Sequence, residues 1–377
     1  MNTRKIILTL MVVLLGISAK AQLFTVTDSV LLFSPGDAGS KYYRIPALCT
    51  TAEGTVIAAA DKRWTNGGDL PNNIDVVTRR STDGGHTWEN AITVDGEGTD
   101  IGSGDPALVY DSKRRTVLCI FTHGNGLWQS TPDNNGHIMV AKSTDDGRSW
   151  SRPVDINAQL YAGKDNWVTS FAGSGHAVQL RSGRLMFVIQ VRTNLNNPYA
   201  PLSCYACFSD DGGDTWQTSL NAADTNGDEA KIVELSDGTL MMSIRVRNAG
   251  YHRKFSYSHD GGLTWSTPVA HQQIIEPACN GDVISYTRKG KRPVLLHTVP
   301  FHASVRCNVS LLASYNDGAT WPLRQSIVPT GSGYSSITQL ADGSIGCLVE
   351  CDSPKGYKLW YYRLKPTDAL TKAANIE

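Results

Sequence analysis

Four residues have side chains that could take part in chemistry and lie in stretches typical of loops or strand ends. Arg44 stands directly before an apolar run, Asp69 lies beside glycines, and Glu229 follows a turn residue. Tyr334 lies in a loop of small residues that leads into a further strand. An arginine binds a carboxylate through two parallel hydrogen bonds, and a phenol, which titrates at about pH 10, attacks only when a base takes its proton. These side chains can act together only if the fold brings four distant stretches to one place.

The frame for these stretches is an eight-residue box, Ser-x-Asp-x-Gly-x-Thr-Trp, which occurs five times. The first copy runs from Ser81 to Trp88, and the others cover 143–150, 209–216, 258–265 and 314–321. Ser149 replaces Thr in the second copy, and Asn316 replaces Asp in the fifth. In each copy the Asp or Asn side chain can bond its own backbone, Gly supplies a positive φ, and Thr-Trp opens the next strand. The boxes therefore predict hairpin turns, and their residues are structural.

The rest of the chain predicts an all-β fold. Short runs rich in Val, Ile, Thr and Tyr alternate with turn residues, and helical periodicity is confined to a weak candidate at 366–374. The boxes start 62, 66, 49 and 56 residues apart, which indicates radial repetition of antiparallel units. We expect a six-bladed β-propeller of four-stranded antiparallel blades in one domain, 22–377. Strands near 23–33 and 345–364 would close the blade that lacks a box; a β-sandwich or a parallel β-solenoid is the alternative.

The Arg44-Ile45-Pro46 element, taken with five boxes in register behind it, resembles the bacterial exo-α-sialidase (neuraminidase) family of glycoside hydrolase family 33 type. The resemblance covers essentially the whole chain after residue 21. It implies a hydrolase that releases terminal sialic acid from sialylated glycans, with retention of configuration. Because the anomeric carbon of sialic acid carries a carboxylate, a carboxylate nucleophile would be repelled, and the family uses a neutral tyrosine instead.

The resemblance also implies roles for nine residues. Three would be catalytic: Tyr334 as the nucleophile, Glu229 as the base that takes its proton, and Asp69 as the acid and base at the leaving oxygen. Six would bind substrate or support that binding: Arg44, Arg247 and Arg306 at the substrate carboxylate, Arg63 as a secondary arginine, Asp105 at a ring hydroxyl, and Glu350 behind Arg44. The glycines beside Asp69 predict a mobile loop that closes over substrate and raises the pKa of this carboxyl.

Several neighbouring residues compete for these roles. Arg245 lies two residues before Arg247, Asp75 is an alternative to Asp69, and Glu234 and Asp228 are alternatives to Glu229. Four aromatic residues are candidates to line the pocket, although ordinary packing explains them equally well: Trp64, Trp128, Trp167 and Phe171. The histidines show no metal-binding spacing, and we expect no metal and no cofactor. Trans-sialidases and intramolecular trans-sialidases share these residues, and a non-catalytic glycan-binding propeller shares the boxes alone.

Composition and the first 21 residues predict an exported protein. Residues 1–21 combine two basic residues, an apolar run of about twelve residues and an Ala-Lys-Ala site, so we expect a signal peptide cut after Ala21. Its removal leaves 32 basic and 35 acidic residues, a formal charge of −3, which disfavours nucleic acid as a partner. No later run is long enough to span a membrane. We expect a secreted or periplasmic monomer whose eight cysteines are mainly buried free thiols.

Overall fold

The structure, a computed structural model, describes residues 22–96, 100–247 and 251–372. The predicted signal peptide, with its cleavage site, lies outside the described residues. The prediction of an all-β chain is confirmed, because the described residues are built almost wholly from short β-strands. The weak helix candidate near the C-terminus corresponds to a single short helix, α2, at Asp368–Lys372.

The strands of the described residues are numbered in chain order. The first twelve are β1 (Phe24–Phe33), β2 (Tyr42–Thr50), β3 (Val56–Arg63), β4 (Ile74–Ser81), β5 (Ile92–Asp95), β6 (Ser103–Asp111), β7 (Thr116–Gly124), β8 (Gly136–Ser143), β9 (Val154–Asp155), β10 (Thr169–Ala172), β11 (Gly175–His176) and β12 (Val178–Gln179). The next are β13 (Leu185–Arg192), β14 (Leu202–Ser209), β15 (Gln217–Thr218), β16 (Asp224–Glu234), β17 (Leu240–Val246), β18 (His252–Ser258), β19 (Val269–Ile275), β20 (Asp282–Arg288), β21 (Lys291–Pro300), β22 (Cys307–Ser314), β23 (Leu323–Gln339), β24 (Ile345–Cys351) and β25 (Lys358–Pro366). A 3-10 turn lies at Asp37–Gly39 and a short helix, α1, at Asn157–Leu160.

These strands pair into four sheets. One has the order β2-β3-β4-β5, and another has the order β11-β6-β7-β8-β9, in which the β11–β6 pair is parallel. A nine-stranded sheet follows β10-β13-β14-β16-β17-β18-β19, with β12 on β13 and β15 on β14. The last sheet has the order β1-β25-β24-β23-β22-β21-β20. Most neighbours in a sheet are therefore neighbours in the chain, as short hairpin connections require.

The first and last strands of the fold pair with each other. In the antiparallel ladder of β1 and β25, Phe24 lies opposite Pro366 and Val30 lies opposite Tyr361. The prediction that the early and late strands are partners is confirmed. The hydrophobic core also joins the sheet of β2 to the sheet of β24, because one cluster contains buried Leu48 of β2 and buried Leu348 of β24. Each such buried leucine contributes about 1.5–3 kcal/mol relative to an exposed one.

Strand β23 carries the chain from one group of strands to the next. Its first part pairs with β22, where Leu323 lies opposite Ala313, and its second part pairs with β24, where Gln339 lies opposite Ile345. Between the two, the register shifts near Gly331 to Ser335. Tyr334 lies at this irregular point, which lets its side chain leave the regular alternation of the sheet.

The boxes form the turns that their sequence predicts. In the first copy the Ser81 hydroxyl donates to Asp83 Oδ1 at 2.7 Å and accepts from the Gly85 N–H at 2.8 Å. The Thr87 N–H donates to Asp83 Oδ1 at 2.9 Å, which closes the turn. The same serine-to-glycine bond, 2.8–2.9 Å long, recurs in the four other copies. The boxes lie on connecting turns, away from the side chains that could do chemistry.

The box carboxylates predict a loss of stability in acid. Burial opposes ionisation of Asp260, but hydrogen bonds from Thr264 and Ser258 outweigh it and lower its pKa to about 2. An unfolded aspartate titrates at about 3.9, so this stabilisation is complete above that pH and is lost as the pH falls towards 2. We expect Asp260→Asn to weaken the fall in the free energy of unfolding between pH 7 and pH 3, measured by urea unfolding.

Asn316 is the natural precedent for that variant, because its amide oxygen accepts the Ser314 hydroxyl and the Thr320 N–H in the same way. Asn316→Asp is the matched reverse change and should add pH dependence. If the unfolding free energies of the wild type and both variants depended equally on pH, the box carboxylates would not be the source of the acid sensitivity.

All eight cysteines lie within the described residues. All eight cysteines are free, and all except Cys307 are buried. Burial raises the pKa of the Cys279 thiol to about 12, so it stays protonated at neutral pH. Among the described residues we find no helix with the length and apolar character needed to cross a membrane, and no cluster of three side chains suited to a metal ion.

Candidate active site

A cleft of about 830 Å³ is lined by residues from strands of all four sheets. Seven of the nine predicted site residues line it: Arg44, Asp69, Asp105, Glu229, Arg247, Arg306 and Tyr334. They come from distant parts of the chain, since β2, β6, β16 and β23 each contribute one of them. The other two predicted residues, Arg63 and Glu350, lie behind this lining and contact it. The structure thus brings the predicted residues to one place.

Glu350 holds Arg44 from behind. Its carboxylate accepts hydrogen bonds from Arg44 Nε at 3.1 Å and Nη2 at 3.3 Å, and also from the backbone N–H of Ile45 at 2.9 Å and of Tyr334 at 3.1 Å. The Glu350 side chain is 0% exposed, so these four bonds compensate for its desolvation. Ile45 has a positive φ of 60°, a conformation that is unusual for a β-branched residue. Glu350 therefore fixes both Arg44 and the backbone at Tyr334.

Tyr334 lies among three arginines. The distances from the guanidinium carbons of Arg44, Arg306 and Arg245 to its ring centre are 4.9, 5.4 and 6.0 Å. Arg245 Nη1 also donates to the Tyr334 hydroxyl at 2.8 Å. Burial raises the pKa of this phenol well above its usual value, although Arg245 opposes the shift. Tyr334 is therefore neutral at physiological pH and needs a base to become a nucleophile.

Glu229 is the carboxylate beside this tyrosine, and Arg245 is its ion-pair partner. Burial opposes ionisation of Glu229, but Arg245 and a hydrogen bond with Tyr334 outweigh it and lower its pKa. Its neighbour Asp228 shows the opposite shift, because burial raises its pKa and Arg245 only partly offsets this. Of the two adjacent carboxylates, Glu229 is the one kept ionised and able to accept a proton.

Arg245 and Arg247 occupy different environments. Arg245 contacts both Tyr334 and Glu229, as described, whereas Arg247 lies over the Trp128 ring, 4.9 Å from its centre, with Nη1 3.5 Å from Asp228 Oδ2. The family resemblance assigned Arg247 to the substrate carboxylate and left Arg245 as its competitor. The two arginines lie only two residues apart, Arg245 near the end of β17 and Arg247 directly after it, so local pattern alone does not separate them. The contacts favour Arg245, the weighed competitor, as the arginine beside the tyrosine.

Asp69 lies at the rim of the cleft and is bound to arginines. Its Oδ1 lies 2.8 Å from Arg63 Nη1 and 3.7 Å from Arg44 Nη1, while its side chain remains 64% exposed. Burial raises the pKa of Asp69, but Arg63 and Arg44 outweigh it, and the net shift is downward. The rise in the Asp69 pKa that the sequence analysis predicts applies to a loop closed over substrate. In the open cleft the arginines dominate, and the loop glycine Gly67 binds Arg63 through its carbonyl oxygen at 2.6 Å.

Asp105, which lines the cleft, and an unpredicted buried residue, Asp61, form an acidic pair beside Arg63. Asp61 is 1% exposed and accepts from Arg63 Nη2 at 2.8 Å and from the Asp105 N–H at 2.9 Å. Burial, and then Asp61, raise the pKa of Asp105 well above its usual value. Sequence analysis missed Asp61; the available signal was its position two residues before Arg63, which puts both side chains on one face of β3.

The remaining candidates divide between the cleft and the core. Trp128 and Phe171 line the cleft. Trp167 is 5% exposed and belongs to a core cluster, and the Trp64 indole N–H donates to Asp75 at 2.9 Å. Glu234 is paired with Arg181, at 3.0 Å, and lies in the wall of a separate cavity.

The chain matches known proteins over most of its length. The model of the BNR repeat-like domain family matches residues 62–347. The chain is 33% identical over 340 residues to a sialidase of Bacteroides fragilis, across 84% of this chain and 61% of that protein. It is 31% identical over 331 residues to a sialidase of Micromonospora viridifaciens, across 84% of this chain and 50% of that protein. The chain therefore spans half to about three fifths of the length of these relatives.

The solved structures that are similar to this chain include a sialidase and an intramolecular trans-sialidase. A Hadza microbial sialidase superposes with a TM-score of 0.78 at 32% identity, covering 89% of this chain and 68% of that one. The intramolecular trans-sialidase from Ruminococcus gnavus superposes with a TM-score of 0.77 at 21% identity, covering 91% and 98%, a likeness of fold alone. The chain therefore belongs to the family of BNR repeat-like domains, and the proteins that it resembles across most of its length are sialidases.

Proposed function

We propose that this protein is an exo-α-sialidase that hydrolyses terminal sialic acid from glycoproteins, glycolipids or oligosaccharides. The observation that carries the proposal is the buried tyrosine, Tyr334, with three guanidinium groups within 6.0 Å of its ring centre and a carboxylate beside it. Sialic acid carries its own carboxylate at the reacting carbon, and such an anion needs fixed counter-charges. The names of the similar proteins support the same activity.

The proposed arginine set is Arg44, Arg245 and Arg306, with Arg245 taking the role first expected of Arg247. The contacts of Arg245 with Tyr334 and Glu229 support this choice. Arg247 is then a residue of the outer cleft, next to Trp128. Asp105 is proposed to contact a ring hydroxyl, since it lines the cleft and burial favours its protonated form, which can donate a hydrogen bond.

The proposed reaction has two steps. In the first, Glu229 takes the proton of the Tyr334 hydroxyl, whose oxygen bonds to the anomeric carbon while the glycosidic bond breaks. Asp69 gives its proton to the leaving oxygen, which requires that substrate weaken the pull of Arg63 and Arg44 on this carboxyl. In the second, water attacks the anomeric carbon while the bond between this carbon and the Tyr334 oxygen breaks. Asp69 takes a proton from the water, and the Tyr334 oxygen regains its proton from Glu229. Two displacements on one carbon give retention.

We further propose that the four sheets form a six-bladed β-propeller. The strand order supports six groups of mainly antiparallel strands: β2 to β5; β6 to β9 with β11; β10 with β12 to β15; β16 to β19; β20 to the first part of β23; and the second part of β23 with β24, β25 and β1. The last group joins both ends of the described chain and is the one without a box. We also propose that this domain is exported by a signal peptide and acts as a monomer in the periplasm or outside the cell.

The test is release of sialic acid by the full chain from a fluorogenic aryl α-sialoside and from sialyllactose, followed by ¹H NMR. We expect free sialic acid to appear first as the α-anomer, as retention requires. An anhydro sugar as the first product would instead identify an intramolecular trans-sialidase, and sialic acid moved to an added galactoside would identify a trans-sialidase. Binding of sialyllactose without turnover would contradict the enzyme proposal and favour a glycan-binding propeller.

A further inference from the structure

We propose that Asp61 is a positioning residue that holds Arg63, the loop of Asp69 and the backbone of Asp105 in the arrangement the reaction needs. This inference rests on the proposed function. Asp61 lies behind the cleft lining, so it acts through its neighbours and does not touch substrate.

The first contact of Asp61 is with Arg63. Both lie on β3, two residues apart, and Asp61 Oδ2 accepts from Arg63 Nη2 at 2.8 Å and from Nε at 3.3 Å. The opposite edge of the same guanidinium binds the loop, through the Gly67 carbonyl at 2.6 Å and Asp69 Oδ1 at 2.8 Å. Arg63 is 1% exposed. It therefore stands between two carboxylates, a buried one that fixes it and an exposed one that would perform the chemistry.

The second contact of Asp61 is with the backbone of β6 at Asp105, where the register of the strand shifts. Asp61 Oδ1 accepts the Asp105 N–H at 2.9 Å, and Asp105 has a positive φ of 58°. A Cβ atom on the preceding Gly104 would lie 3.1 and 3.2 Å from the two Asp61 oxygens, closer than most real contacts. The glycine thus lets a buried carboxylate reach this backbone. One side chain links the two sides of the cleft that carry Asp69 and Asp105.

The charge of Asp61 also affects how readily Asp69 holds its proton. Four charged or titratable side chains surround it: Arg63 on its own strand, Arg44 on β2, Asp69 on the loop and Asp105 on β6. With Asp61 ionised, the positive charge of Arg63 is shared between two carboxylates. With Asp61 neutral, Arg63 acts on Asp69 alone and favours its ionised form. Burial raises the pKa of Asp61 to about 6, with Arg63 opposing the shift, so this charge is sensitive to mild acid.

The test is Asp61→Asn in the full chain. Asparagine keeps an oxygen that can accept the Asp105 N–H and removes only the charge. We expect kcat/KM for sialyllactose, whose leaving alcohol needs a proton, to fall by about tenfold or more beyond any fall for an aryl sialoside, whose leaving group does not. The alkaline limb of the sialyllactose profile should move to lower pH. In ¹³C NMR of aspartate-labelled protein, the Asp69 carboxyl, assigned with Asp69→Asn, should titrate at lower pH in the variant.

Two further variants complete the design. Gly104→Ala keeps the charge of Asp61 but places a methyl group against its carboxylate. We expect kcat/KM to fall more for sialyllactose than for the aryl sialoside, as in Asp61→Asn, but by a smaller factor. This variant tests the proposal even if Asp61→Asn fails to fold. Asp75→Asn is the matched control, because Asp75 is a buried carboxylate on the neighbouring strand β4 that binds the Trp64 indole at 2.9 Å. It should lower stability without changing the ratio of the two substrates.

The outcomes separate the two proposals. If the wild type releases sialic acid from neither substrate, the proposed function falls, while the NMR titration still decides whether Asp61 controls Asp69. If the folded variants lose activity equally on both substrates, or not at all, and Asp69 titrates as in the wild type, the positioning role of Asp61 is overturned.

Discussion

Replacing Tyr334 by phenylalanine should lower kcat for an α-sialoside by about a thousandfold or more. The change removes one oxygen atom, which in the proposed mechanism forms the bond to the anomeric carbon, and loss of a nucleophile is among the largest single effects in enzymes. The ring, 6% exposed, should stay in place among the arginines. Affinity for an unsaturated sialic acid analogue should therefore persist, as measured by calorimetry, while turnover measured by fluorescence disappears.

Tyr286→Phe is the matched control. Tyr286 is also buried, and its hydroxyl donates to the Gly343 carbonyl at 2.6 Å, away from the cleft. Losing that bond should cost about 1 kcal/mol of stability and leave kcat unchanged. Turnover by Tyr334→Phe within tenfold of the wild type would rule out the tyrosine as the nucleophile, whatever the control shows.

Replacing Arg245 by lysine should lower kcat/KM by about a hundredfold, whereas the same change at Arg247 should cost less than about tenfold. Arg245 binds the Tyr334 hydroxyl and Glu229 with one guanidinium nitrogen, Nη1, and its Nε lies 3.8 Å from Asp228 Oδ2. Lysine keeps the charge but cannot reproduce the planar arrangement of donors. The measurement is steady-state kinetics of both variants on the same aryl sialoside.

This pair of variants controls for itself, since the two arginines lie two residues apart and the substitution is the same. Arg247 contacts Trp128 and Asp228 at the outer part of the cleft, so its loss should mainly raise KM. A larger defect at Arg247 than at Arg245 would restore the sequence-based choice and contradict the arginine set proposed from the contacts.

The amino-acid sequence by itself determined the strand content and the turns, and the family resemblance that it carries predicted site residues that lie in or beside one cleft. Box turns are closed by side chains within eight residues, such as Asp83 and Thr87, and therefore follow from local sequence. The pairing of the first and last strands followed from the one unit without a box. The Arg44 element and the glycine-rich loop of Asp69 could be recognised because each lies in a short, distinctive stretch.

Only the tertiary structure decided which side chains meet and which of them are ionised. Arg245 lies near the end of β17 and Arg247 directly follows that strand, and their difference depends on Tyr334, which lies about ninety residues from Arg245. Asp61 has an ordinary position on β3 until β6 brings the Asp105 N–H to within 2.9 Å of it. The pKa of Asp69 in the open cleft moves downward because Arg63 and Arg44 approach it from two strands. Electrostatic effects depend on distances between residues remote in the chain, and no local pattern contains those distances.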